Sequence, residues 1–229
     1  MPVPLVDLRA QYLTLEKEIQ ARLLQVLQNM DLVLGENVEA LEQEFAAYCG
    51  ARYGVGVGSG TDALHLALRA LGIRPGDEVI TVSHTFVATA EAIVHADARP
   101  VFVDIDPVTY TIDPERLESA INHRTRGIIP VHLYGHPANM ETVLSIARRR
   151  GLWVIEDASQ AHGARYWTRP VGSLGDVGCF SFSMAENLGA YGEAGILVTD
   201  NEEVANKARL LRAHGSSEKH VHSLFGFNS

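Results

Sequence analysis

Four short segments carry side chains whose types and spacing could do chemistry. The first is Gly58-Ser59-Gly60-Thr61, between a short apolar run and a helical pattern beginning at Asp62. Free amides at a helix N-terminus bind anions, and glycines let a phosphate come close to the backbone. Thr61 can cap the helix and also offer a hydroxyl. A tight turn with an ordinary threonine cap is the competing reading. A dinucleotide fingerprint fails on spacing. The glycines fall at 54, 56, 58 and 60, none where the third is needed, and Asp77 opens the next strand instead of closing it. The second segment is Glu156-Asp157 with Gln160, directly after the apolar run 152–155. A carboxylate at the carboxyl end of a parallel strand points into the ligand crevice. Once buried it needs a cation or several donors, and a protonated pyridine nitrogen is such a cation; a helix N-cap is the plainer alternative.

The third segment is Phe180-Ser181-Phe182, followed by Glu186-Asn187-Leu188-Gly189 and Gly192-Glu193-Ala194-Gly195. A strand that runs into a glycine-rich loop is either a surface connection or the wall of a site. The fourth is Ser83-His84-Thr85-Phe86 after the run 78–82, where an aromatic ring can stack on a planar ligand or sink into the core. His132 and His136 stand four apart, but Gly135 and Pro137 interrupt any helix there, so no shared metal-binding face is expected.

Positioning these segments takes a strand before each and a helix after most of them. Helical spacing predicts helices over 13–28, from 36 to a stop at Gly50, over 62–71, 86–95, 114–121, 139–150 and 202–213. Apolar runs predict strands at 53–57, 78–82, 100–103, 127–131, 152–155, 177–182 and 196–199. Buried strands that alternate with helices imply an α/β fold with three α/β/α layers and a mostly parallel sheet. The segment 215–229 is polar and rich in Ser and His, and reads as lacking a packing partner.

Composition narrows the class. With 229 residues, 46% hydrophobic and 21% charged, the chain can bury a proper core. A net charge of -9 argues against a nucleic-acid surface. Cys49 and Cys179 form no disulfide framework and read as buried thiols. The N-terminus lacks the pattern of a signal peptide, and no run reaches the roughly 18 apolar residues of a membrane span. A cytoplasmic location is expected.

Together the segments GSGTDAL, SHTFVATAEAI, VHLYGHPA, VIEDASQAHGA and FSFSMAENLGAYGEAG resemble the DegT/DnrJ/EryC1/StrS aminotransferases. The resemblance runs from Leu5-Val6-Asp7-Leu8 to Gly226-Phe227-Asn228-Ser229. It implies a fold-type I large domain over 1–214, with 215–229 starting the link to a small C-terminal domain. It implies pyridoxal 5′-phosphate or pyridoxamine 5′-phosphate as cofactor, glutamate and a nucleotide-linked keto sugar as substrates, and a homodimer with shared active sites. The segments 132–137 and 215–222 look most like members that aminate C3 of a dTDP-linked 3-keto-6-deoxyhexose. The roles implied are these. Asp157 pairs with the pyridine nitrogen, Gln160 lies near the ring hydroxyl, and Phe86 stacks on the ring. Gly60, Thr61 or the amide of Asp62, and Ser181 hold the phosphate. Asn228 reaches the phosphate of the other subunit's cofactor.

Two departures accompany the resemblance. The family's Schiff-base lysine precedes Asn-Leu-Gly, and Glu186 stands there; the chain's lysines are Lys17, Lys207 and Lys219, none on that loop. A carboxylate can accept a proton but cannot condense with an aldehyde. Three readings stay open: a lesion at a catalytic lysine, a cofactor- or sugar-binding relative without turnover, and a pyridoxamine-phosphate protein like the dehydratases that carry His at this position. The second departure is length, since the family continues beyond this segment into its small domain.

Overall fold

A computed structural model describes residue 3, residues 6–218 and residues 221–229. Helix α1 (Leu8–Asn29) begins earlier than its apolar spacing suggests, because Asp7 caps it by accepting from the Ala10 amide. It buries none of its residues, and Leu13, Leu23, Leu24 and Leu27 stay exposed. Helix α2 (Glu36–Cys49) ends at Gly50, whose φ of 73° is the left-handed C-terminal turn that glycine adopts without strain. Strand β1 (Tyr53–Val57) then leads into α3 (Gly60–Ala70).

The chain continues through β2 (Glu78–Val82), α4 (Ala88–His95), β3 (Arg99–Val103), α5 (Pro114–Ala120) and β4 (Thr125–Ile128). After a single 3-10 turn at Leu133–Gly135 come α6 (Met140–Arg150) and β5 (Trp153–Asp157). A small hairpin, β6 (Arg165–Tyr166) with β7 (Arg169–Pro170), was not legible in the sequence. Then follow β8 (Val177–Ser181), β9 (Gly195–Thr199) and α7 (Glu202–Arg212). Asp113, Asn139 and Asn201 cap α5, α6 and α7 with side-chain oxygens, which is why those helices start where they do.

Seven strands form one sheet in the order β1-β9-β8-β5-β4-β2-β3. Strand β9 runs antiparallel to both β1 and β8; every other pairing is parallel. Alternation along the strands feeds two separate apolar layers. Ile80, Ile128, Val154, Ile196 and Val198 face one layer with Phe45, Met140 and Val143 from α2 and α6. Val79, Ile129, Ile155 and Leu197 face the other with Leu64, Leu68, Ile93 and Val204 from α3, α4 and α7. Each such side chain, almost fully buried, contributes about 1.5–3 kcal/mol. The arrangement is the expected three-layer α/β/α fold with a mostly parallel sheet.

The tail corrects one expectation. Residues 215–229 are not without a partner. Phe227 packs against His65 with ring centroids 4.6 Å apart, the Phe227 amide donates to the Leu211 carbonyl, and Asn228 forms a bridge with Ala213. A strand pair, β10 (Ser216–Glu218) with β11 (Val221–His222), precedes this return. No helix among the described residues is long and apolar enough to cross a membrane.

Candidate cofactor site

At the carboxyl ends of the parallel strands lies a cavity of about 330 Å³. Each wall is set by one junction in the fold. The first turn of α3 supplies Gly60 and Thr61. The β2–α4 connection supplies Phe86 and the first turn of α4 Thr89, the end of β5 and the residues after it supply Asp157, Ser159 and Gln160, and the end of β8 with the β8–β9 connection supplies Ser181, Glu186 and Glu193.

The cap of α3 is Ser59, not Thr61. Its hydroxyl accepts from the Asp62 amide at 3.0 Å, so the helix starts two residues earlier than its apolar spacing suggests. The Asp62 amide is thereby engaged, and Asp62 does not line the cavity. The amides of Gly60 and Thr61 belong to the first turn, where no intrahelical acceptor exists. Gly60 is required by space. A Cβ there would lie 2.7 Å from the Ser181 Cβ, because the helix start sits directly on the end of β8. A Cβ at Gly195 would overlap the Ser59 carbonyl from the other side. The result is a close backbone cradle beside a hydroxyl, suited to a phosphate.

Asp157 forms the floor and is almost fully buried. Its Oδ2 accepts from the Thr89 hydroxyl at 2.7 Å, and its Oδ1 accepts from the Ser159 hydroxyl at 2.7 Å and the Ser159 amide at 3.2 Å. These donors are all neutral, and among the described residues no Lys or Arg lines the cavity. A buried carboxylate held this way favours a cation in the cavity. A protonated aromatic nitrogen meets that demand.

The neighbouring acid does something else. Side chains alternate along β5, so Glu156 points to the opposite face and is fully buried. It accepts from His132 Nε2 at 2.9 Å and from the amides of Gly172, Leu174 and Gly175 at 2.7–2.9 Å. His132 Nδ1 accepts from the Ala138 amide, which can only donate, so the proton on that ring sits on Nε2. Burial pushes the Glu156 carboxyl up, but His132 and the amides more than offset this and hold it below the usual carboxylate range. Of the two acids read as a pair, only Asp157 belongs to the site. His132 serves Glu156, and no cluster of three metal-ligating side chains occurs among the described residues.

Phe86 lines the cavity with 69% of its surface exposed, so it is not a core residue. Gln160 also lines it, and its Oε1 accepts from the Tyr134 amide at 3.1 Å. Asn228 is exposed and lies outside this chain's own cavity. Glu186 faces the cavity together with Asp157 and Glu193. Burial and then the charges of Asp157 and Glu193 push its carboxyl up, opposed by the Ser181 hydroxyl. The loop that carries it is pinned by His162, whose ring nitrogens meet the Ser181 carbonyl at 2.7 Å and Asn187 Oδ1 at 2.8 Å. Lys17 and Lys207 lie in α1 and α7, outside the cavity wall, and Lys219 lies outside the described residues.

Four residues of the site escaped sequence reasoning. Ser59 and Ser159 left a local trace, a Ser at the start of a helix and a Ser two positions after the acid. Thr89 and Asp157 are 68 residues apart and meet only through packing, and His162 likewise has no local signal.

The DegT/DnrJ/EryC1/StrS aminotransferase family model matches residues 13–229. The chain belongs to that family. A Geobacillus stearothermophilus "pleiotropic regulatory protein" is 51% identical over all 229 residues, which cover 62% of that protein. A Streptomyces venezuelae dTDP-3-amino-3,4,6-trideoxy-alpha-D-glucose transaminase is 48% identical over 227 residues, 99% of this chain and 60% of that one. The crystal structure of S. venezuelae DesV in complex with a ketimine intermediate superposes with a TM-score of 0.96 at 48% identity, covering 98% of this chain and 61% of that one. The chain thus spans about three fifths of the length of these relatives. The DegT family is pyridoxal-phosphate dependent, and the backbone cradle, the buried Asp157 and the exposed Phe86 fit that cofactor.

Proposed function

We propose that this chain forms the cofactor-binding part of an aminotransferase that moves an amino group from glutamate to a nucleotide-linked keto sugar, with a dTDP-linked 3-keto-6-deoxyhexose as acceptor. The observation that carries the reading is Asp157: a buried carboxylate, oriented by Thr89 and Ser159, facing a cavity that no Lys or Arg among the described residues lines. When bound, pyridoxal phosphate supplies the electron-sink ring through which amino nitrogen is exchanged. Asp157 keeps a proton on the ring nitrogen. Gly60 and Thr61 present amides, and Ser181 a hydroxyl, to the phosphate. Phe86 would pack against the ring and limit water there, and Gln160 would offer it a polar side chain. Asn228, exposed on the surface, serves the site of a second copy in a homodimer.

Glu186 supports a second reading for the chain as it stands, namely binding without turnover. The residue can hold a proton but has no amine to anchor the cofactor. Absorbance spectroscopy with pyridoxal phosphate separates the two. The chain is expected to bind the cofactor without a band that borohydride fixes covalently, and Glu186→Lys is expected to gain one. A fixed band in the unaltered chain would mean that one of the other lysines anchors the cofactor. Glu186→Lys in a chain extended to the relatives' length is expected to gain transfer from glutamate to the dTDP-linked 3-keto sugar. Failure of that variant to bind cofactor would overturn the aminotransferase reading.

A further inference from the structure

Among the described residues, the cavity wall carries three carboxylates, Asp157, Glu186 and Glu193, and neither lysine nor arginine. A phosphate at the start of α3 brings roughly two more negative charges into the same space. The protonated ring nitrogen answers Asp157. At the other end, Glu186 and Glu193 are met by neutral hydroxyls: Ser181 beside Glu186, and Ser183, which donates to Glu193 Oε1 at 3.1 Å. That end is short of a cation.

We propose that Glu186, with Glu193 beside it, makes this site selective for the aminated cofactor, pyridoxamine 5′-phosphate, over the aldehyde form. The inference rests on the cofactor reading above and extends it to the form that is held. The primary ammonium of the aminated form is the one group on either ligand that can neutralise this end of the cavity. The aldehyde is uncharged there, and with Glu186 in place it gains no covalent anchor from residue 186. It therefore leaves the partly buried Glu186 carboxylate without a counter-charge beside Asp157 and Glu193, an arrangement that costs free energy. The upward push on the Glu186 carboxyl from burial and from its acidic neighbours has the same origin. The preference is a property of two side chains on one loop, so it can be altered while Gly60, Thr61, Ser181 and Asp157 all keep their identity.

The test is equilibrium dialysis of the 229-residue chain against three ligands, read by absorbance: pyridoxamine phosphate, pyridoxal phosphate, and 4-deoxypyridoxine phosphate, which has the ring and phosphate but neither amine nor aldehyde. Pyridoxamine phosphate is expected to bind at least about tenfold more tightly than either of the others. Glu186→Gln is expected to bring that ratio below about threefold. Glu193→Gln, a second substitution on the exposed side of the loop, is expected to lower the ratio in the same direction. Equal binding of all three ligands overturns the selectivity and leaves the cofactor site standing, as does a ratio that Glu186→Gln does not change. Binding of none of them overturns the cofactor reading itself.

Discussion

Glu156 is the residue whose replacement the fold should tolerate least, and the cost of a nearly isosteric change can be worked out. Its Oε1 accepts from the Leu174 amide at 2.7 Å and the Gly175 amide at 2.8 Å; its Oε2 accepts from the Gly172 amide and His132 Nε2, both at 2.9 Å. Glutamine keeps one oxygen and so serves one of these pairs. Its amide group then faces two N–H donors. His132 cannot relieve the conflict by moving its proton, since Nδ1 is occupied by the Ala138 amide. Two buried donors are left unpaired, at about 1–3 kcal/mol each, so Glu156→Gln should cost about 2–6 kcal/mol. Whole domains are stable by only about 5–15 kcal/mol, so the loss should be plain in urea unfolding followed by far-UV circular dichroism at pH 7. The difference between the two proteins should also depend on pH. The folded carboxyl lies below its ordinary value of 4.5, so its stabilisation is present above that value and is lost as pH falls through the depressed one. The penalty of the substitution should therefore shrink in acid. A midpoint shift worth less than about 1 kcal/mol at pH 7 would refute the four-donor account.

Further outcomes follow from the site and the core. Gly60→Ala should weaken pyridoxamine phosphate binding by roughly tenfold or more with the fold intact, because the new methyl meets Ser181 and pushes α3 off β8; unchanged affinity in dialysis would remove the cradle. Asp157→Asn keeps one oxygen to accept from Ser159, turns an NH2 towards the Thr89 hydroxyl, and loses the charge, and should cost roughly ten- to a hundredfold in cofactor affinity. Glu186→Gln should raise the melting temperature of the cofactor-free chain at pH 7. The folded carboxyl is pushed above its ordinary 4.5, so its charge is disfavoured there, and the gain should vanish below that pH; a lower melting temperature at pH 7 would contradict it. Burial raises the Cys49 thiol to about 12, and the Cys179 thiol well above its usual value. Neither should react with a disulfide reagent at pH 8 until urea unfolds the chain, when both should.

The sheet was legible because most of its strands are built on short apolar runs. The limits 53–57 and 78–82 hold to the residue, since glycine and the Pro75-Gly76-Asp77 turn punctuate them. Helix starts were less legible. Apolar spacing marks where a helix begins to bury side chains, whereas capping marks where it begins, and Asp7 and Ser59 cap ahead of the first apolar contacts. The expected α4 start at 86 fails for a related reason: Phe86 turns outward to the cavity and the helix is regular only from Ala88. Residues that carry chemistry at strand ends, such as Asp157 and Ser181, stood out by local pattern. Their supports Thr89 and His162 reach them from distant positions, and nothing near them in the sequence points there.

The connection between β8 and β9 joins antiparallel neighbours, so it leaves and re-enters the sheet at the same edge of the cavity. Its two ends are clamped, Ser181 opposite Gly195, while Glu186 sits mid-span with its backbone tied only to Ser183. The course of the loop is thus set by backbone pairing and by neighbouring residues, and a change at 186 acts mainly on the charge of the cavity. A single codon can change the chemical trade of the molecule while leaving its architecture in place.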